Sequence, residues 1–148
     1  TKITIPSTVT SIGCYSFYRC SSLKQILIPL SVKEIEKYAF SECAALTDIS
    51  FPSSVNIIDE NAFSGCSSLV NVTLPSSIKK ISSYIFYKCT SLEKIIIPIS
   101  VSSIGDHAFY ECSSLNEVTI PSSVTSIGTD SFPMHTIIHK KWLFKRYF

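Results

Sequence analysis

A strict period of 23 residues constrains this chain more than any other feature. Pro6, Pro29, Pro52, Pro75, Pro98 and Pro121 follow one another at that interval, as do Phe17, Phe40, Phe63, Phe86, Phe109 and Phe132. Cys20, Cys43, Cys66, Cys89 and Cys112 keep the same step. A short unit repeated without insertion stacks on itself, because each unit has an apolar side that only its neighbours can cover. The period therefore predicts a solenoid of about six 23-residue coils over residues 1–132.

With the proline as position 0, the slots are regular. Position 3 is Val or Ile, position 6 is always Ile, position 11 is Phe, and position 17 is Leu23, Leu46, Leu69, Leu92 or Leu115. Positions 20 and 22 are apolar pairs such as Ile26 and Ile28, with a variable residue between them. That alternation is the period of a β-strand, and the β-branched content supports one. Proline at the strand's end removes a donor and stops the ladder. Ser or Thr at position 2 suits a hydrogen bond across the turn that follows. Positions 3 to 6 suit a second short strand. The segment around the Phe, such as residues 59–64, carries small and helix-tolerant residues and predicts one helical or 3₁₀ turn.

The pattern P-S-S-V-x-x-I-x-x-x-A-F-x-x-C-x-S-L-x-x-I-x-I resembles the BspA-like, or Treponema-type, leucine-rich repeat; residues 52–74 and 98–120 follow it almost position for position. The resemblance implies a right-handed, β-rich leucine-rich repeat solenoid. It also implies a non-enzymatic protein-binding module, part of a microbial surface antigen or adhesin, at the cell surface or secreted. The partner would then be a protein or peptide, such as a host-cell surface protein. The alternative is an intracellular (cytoplasmic) leucine-rich repeat scaffold with a reduced cysteine column.

Charge narrows the partners. Residues 1–130 hold nine Lys or Arg and eleven Asp or Glu, so the net charge of +2 comes from Lys140, Lys141, Lys145 and Arg146. A weakly acidic body lacks the basic stripe that nucleic-acid binding needs. No apolar run reaches the roughly 18–20 residues of a membrane-spanning helix. The chain begins on the last strand of a repeat, which reads as a fragment of a longer array with an open N-terminal end suited to self-association.

The repeat also sorts the reactive residues. Five cysteines fall in one inward column and read as small core hydrophobes. Parallel Cβ vectors do not suit disulfides, and a line of thiols does not converge on zinc. Cys14 stands outside that column as the most exposed thiol. His107 takes an outward slot, and His135 and His139 lie past the repeat. No catalytic, cofactor-binding or metal-binding cluster is expected. Asn71-Val72-Thr73 is a glycosylation sequon in a secreted chain and a chance match in a Thr-rich one.

Candidate binding residues are the outward strand slots, positions 19 and 21, which packing leaves free. They are Gln25 and Leu27, Asp48 and Ser50, Asn71 and Thr73, Lys94 and Ile96, Glu117 and Thr119, with Lys2 and Thr4 at the start. They form two columns on one open sheet face. After Phe132 the pattern lapses: in register, His135 takes the cysteine slot, Ile138 the leucine slot and Lys141 an inward strand slot, where a charge is costly. Residues 133–148 therefore read as a divergent cap over the last coil or a frayed tail. The basic-aromatic run from His139 to Phe148 adds a third alternative, contact with an anionic membrane surface.

Overall fold

The computed structural model describes residues 2–141, and the tail expectations for residues 142–148 lie outside them. The chain climbs as a β-solenoid that lays down two short strands per coil. One row of strands runs through β1 (Lys2–Thr4), β3 (Gln25–Leu27), β5 (Asp48–Ser50), β7 (Asn71–Thr73), β9 (Lys94–Ile95), β11 (Glu117–Ile120) and β13 (Ile137–Lys140), paired as β1-β3, β5-β7-β9 and β11-β13. The other row runs through β2 (Ser11–Ile12), β4 (Glu34–Ile35), β6 (Ile57–Ile58), β8 (Lys80–Ile81), β10 (Ser103–Ile104) and β12 (Ser126–Ile127), paired as β2-β4-β6 and β8-β10-β12.

Every pairing is parallel. Up to β11 and β12, partners in both ladders lie one 23-residue repeat apart, for example Asp48 with Asn71 and Asn71 with Lys94. In the second ladder Ser11 pairs with Glu34 and Glu34 with Ile57. The expected corner is present in each coil: the carbonyl of the proline accepts the N–H three residues on, as from Val32 to Pro29 at 3.1 Å. The position-2 hydroxyls behave differently from expectation where they bond. Ser54 Oγ donates to the carbonyl of Val32 in the preceding coil at 2.8 Å, and Ser77 likewise to Val55, so they tie coils together and do not close their own turn.

The core is a set of columns. Phe17, Phe40, Phe63, Phe86, Phe109 and Phe132 stack ring on ring with centroids 5.0–5.8 Å apart. Offset stacking at this spacing adds to the burial of the rings. Beside them Cys43, Cys66, Cys89 and Cys112 are buried, while Cys20 is only partly so, a correction to a column read as buried throughout. Each buried Sγ donates to the carbonyl of the Phe one coil back, from Cys43 to Phe17 (3.0 Å) through Cys112 to Phe86 (3.1 Å). Cysteine is thus a small hydrophobe that also carries one weak donor to a buried acceptor.

The segment around the Phe is turn, and among the described residues it forms no helix. Two residues in each of the first five coils, and Asp130 in the sixth, explain why. Tyr38 and Glu42, or Tyr84 and Lys88, sit near φ +60°, in the left-handed region, four residues apart. Each breaks a helix before it can propagate. The backbone then bonds in two directions. Alternate N–H groups close turns within the coil, as Ala39 to Glu36, while those between reach the next coil, as Tyr38 to Glu60 and Phe40 to Ala62.

The last described coil is shortened. β13 pairs with β11 as Val118 with Ile138, twenty residues apart where every other step is 23. The shift sets Ile138, and not Lys141, opposite inward Val118, and Lys140 opposite inward Ile120. No lysine is buried there, because β13 is exposed along its length, Ile138 at 43%. Pro133 is buried in the tightened turn, and Thr136 returns the chain to the ladder by donating its hydroxyl to the carbonyl of Leu115 at 2.7 Å.

Candidate functional site

The odd-numbered strands carry the candidate face. Their middle residues Ile26, Ile49, Val72, Ile95 and Val118 are buried, so strand parity turns both neighbours outward. Gln25, Leu27, Asp48, Ser50, Asn71, Thr73, Lys94, Ile96, Glu117 and Thr119 are all exposed, in two columns that cross the ladder. Thr4 is exposed at the head of one of them.

Polar groups on this face are held in place. Asp48 accepts from Asn71 Nδ2 and from Thr47 Oγ1, each at 2.7 Å. Those bonds, Asn71's first, hold the Asp48 carboxyl below its ordinary range, so it is a fixed anion at neutral pH. The sequon asparagine therefore has its amide engaged on the sheet. At the other end His139 Nε2 lies 3.4 Å from a carboxylate oxygen of Glu117. Two shallow depressions open here. One of about 430 Å³ lies over Leu27, Asp48 and Asn71; another of about 500 Å³ lies over Ile96, Ile99 and Glu117.

Sequence reasoning missed part of the face. Leu30 and Ile99 follow their prolines and are 75% and 86% exposed, beside Leu27 and Ile96 at 69% and 70%. The signal was available, since the residue after the proline is Ser7, Ser53, Ser76 and Ser122 in the other coils. Taking that slot as mere turn hid it.

The turn side carries a second set of rings, also missed. Tyr15 stacks on Tyr38 at 4.9 Å, Tyr84 on His107 at 4.8 Å and Tyr87 on Tyr110 at 6.2 Å. His107 is thus one ring of a ladder, with Nε2 3.8 Å from Asp130. Those rings spend their faces on one another and their edges on neighbours such as Tyr84 against Tyr87, and the Tyr87 hydroxyl donates to Glu111 Oε1 at 3.3 Å. Exposed Cys14 gives its thiol to Glu36 Oε2 at 3.3 Å, and that bond raises its pKa. Among the described residues no three His, Cys, Asp or Glu side chains converge as a metal site.

Known proteins match this architecture. A family model described as the BspA type leucine rich repeat region fits six copies, over residues 1–89 and 33–141. A crystal structure of a leucine-rich repeat protein of T. pallidum is similar at 35% identity and TM-score 0.78, covering 86% of this chain and 59% of that one. A leucine rich cell surface protein of Faecalibacterium prausnitzii is similar at 29% identity and TM-score 0.76, covering 97% of this chain and 48% of that one. The pneumococcal vaccine antigen PcpA shares the fold at 24% identity and TM-score 0.67, covering 93% of this chain and 38% of that one. The chain thus spans less than two thirds of the length of each. No match was found among curated proteins. The unbroken 23-residue period, the two parallel ladders and the family match over residues 1–141 lead to one conclusion: the chain belongs to the BspA-type leucine-rich repeat family.

Proposed function

We propose that this chain is a non-enzymatic binding module that holds a protein or peptide on its open strand face, as part of a microbial surface antigen or adhesin. The observation that carries the reading is the division of labour along the strands. Inward slots repeat one chemistry, while the outward pairs differ in every coil, from Gln25 and Leu27 to Lys94 and Ile96. A rigid frame with variable outward residues suits recognition, and its rigidity lowers the ordering cost of binding. The candidate residues are Gln25, Leu27, Asp48, Ser50, Asn71, Thr73, Lys94, Ile96, Glu117 and Thr119.

A surface location draws support from the cell surface protein and the vaccine antigen among the similar structures. A host-cell surface protein is the partner class that this location favours. The free thiols favour a second reading, an intracellular scaffold using the same face. An antibody against the native fold separates the two: labelling of intact, unpermeabilised cells is expected, and labelling only after permeabilisation selects the scaffold.

The face is tested with peptides selected from a random display library on the immobilised protein. Binding should be lost in the Leu27→Asp, Ile96→Asp double variant, with its fold checked by circular dichroism. Selected peptides that bind the folded variant unchanged would move the site to the turn side.

A further inference from the structure

Four large apolar side chains stand exposed in two pairs of the same sequence layout, Leu27 and Ile96 on the strand face and Leu30 and Ile99 in the turn at its edge. Leu27 and Leu30 occupy the outer strand slot and the slot after the proline in one coil, and Ile96 and Ile99 occupy the same slots in another. In the two coils between them those slots hold Ser50 with Ser53 and Thr73 with Ser76. Single exposed hydrophobes are ordinary on protein surfaces. Here both slots change together, twice, which makes two apolar knobs joined by a low hydroxyl saddle.

Their separation selects the shape of an occupant. The knobs are three ladder steps apart, about 14 Å at roughly 4.8 Å per step. An extended chain advances roughly 13–14 Å over four residues, and residues four apart point to the same side. A helix brings its face round after seven or eleven residues, at about 10.5 or 16.5 Å, and misses both knobs together. Polyproline conformation repeats its face about every 9 Å and misses as well. The residue midway along the extended segment faces the saddle between β5 and β7. Beside that saddle, one outward slot back along β5 from Ser50, stands the fixed carboxylate of Asp48, held by Asn71 and Thr47. A long basic side chain at that midpoint can reach back along β5, roughly 7 Å, to meet the opposite charge.

We infer that the strand face takes an extended peptide segment of pattern apolar-x-basic-x-apolar, running across the strands. Its apolar residues seat on Leu27 with Leu30 and on Ile96 with Ile99, and its Lys or Arg reaches from the saddle to Asp48 in the neighbouring column. This assignment rests on the strand face being the binding surface, and it names the class of ligand that face selects.

The test uses eleven-residue peptides of Ser and Thr carrying two leucines and one central lysine. Leucine spacings of three, four and five residues are compared, along with a four-spaced peptide whose centre is Glu. Methyl NMR of the Leu and Ile side chains of the intact chain is the readout. The four-spaced lysine peptide is expected to bind about tenfold tighter than the others and to shift Leu27, Leu30, Ile96 and Ile99 methyls together. Leu27→Ser with Leu30→Ser removes the spacing preference, and Asp48→Asn removes the preference for lysine over glutamate, both with folds checked by circular dichroism. Equal affinity across spacings, shifts at one knob only, or no binding by any of the peptides overturns the inference. Spacing-independent binding that still shifts the amides of β5 and β7 leaves the face reading standing. Shifts confined to the turn side remove both.

Discussion

Cys14 is the cysteine most open to solvent, yet its neighbour works against reaction. Glu36 accepts from both its thiol (3.3 Å) and its backbone N–H (3.0 Å), and the thiol's pKa is raised first by that hydrogen bond. Since the thiolate is the nucleophile, less of it is present at neutral pH than exposure alone suggests. Glu36→Gln should therefore speed alkylation of Cys14 by iodoacetamide several-fold at pH 7.5, followed by mass spectrometry of the Cys14 peptide; an unchanged rate removes Glu36 from the account. The buried column responds to pH in a different way. Burial, with Cys20 nearby, holds Cys43 up to about 11, and burial holds Cys112 up to about 12, from an ordinary 9.0. Cys66 and Cys89 move in the same direction for the same reason. The unfolded thiols ionise near pH 9 while the folded ones stay protonated. Their contribution to stability is therefore whole below pH 9 and falls as pH rises from 9 through 11 to 12. Urea midpoints should drop over that range, and the Cys43→Ala, Cys112→Ala double variant should show a shallower slope. A slope identical to that of the parent chain removes Cys43 and Cys112 from the account.

At the scale of the element, what was legible in the sequence depends on whether side chains or backbone did the deciding. The strands were legible because alternation at positions 20 and 22 records which side chains are buried, and the pairing of Ile49 with Val72 follows from the period alone. The binding columns were legible for the same reason, since they are what burial leaves over. The turn was not. In the first, second and fourth coils its two left-handed residues are Tyr15 and Arg19, Tyr38 and Glu42, Tyr84 and Lys88, residues that carry no preference for positive φ. Only in the third coil do Asn61 and Gly65 stand in those slots, the two residue types that tolerate the conformation best. Local propensity thus argued for a helical turn, and hydrogen bonding to the next coil overrode it. The shortened last coil was hidden because arithmetic on the period cannot anticipate a skipped step. There the ladder is regained through Thr136, which is buried with its hydroxyl on the Leu115 carbonyl and its N–H on the Pro133 carbonyl at 3.0 Å. Thr136→Ala leaves a buried acceptor without this donor and should destabilise the chain by about 1–2 kcal/mol. Faster hydrogen exchange should be confined to Ile137, Ile138 and the strand beside them. Protection unchanged there, or lost evenly along the array, shows that Thr136 does not set the register of β13.

For the whole molecule, stability is close to a sum over coils and the interfaces between neighbours. One coil can then be removed if the cut respects the period, because the columns of Phe, Cys and Leu rejoin in register. Deleting residues 52–74 joins Phe51 to Pro75, the same strand-to-proline junction the chain makes at Leu74 and Pro75. The shortened chain should keep its β circular dichroism and cooperative unfolding at a lower urea midpoint. Deleting 22 residues, 52–73, leaves one residue too many at a single junction, where Leu74 must bulge out of the ladder, and should lower the urea midpoint further than the in-period cut. The 23-residue deletion acts on recognition without touching either apolar knob. Leu27 and Leu30 would stand two ladder steps from Ile96 and Ile99, about 10 Å in place of about 14 Å. No same-side spacing of an extended peptide matches that gap, since two residues span roughly 7 Å and four roughly 13–14 Å. The four-residue spacing preference should therefore disappear in the folded deletion variant, while each knob still binds a single-leucine peptide as before. A folded variant that keeps the preference shows that the two knobs do not act together, and that the ligand lies along one strand and not across the ladder.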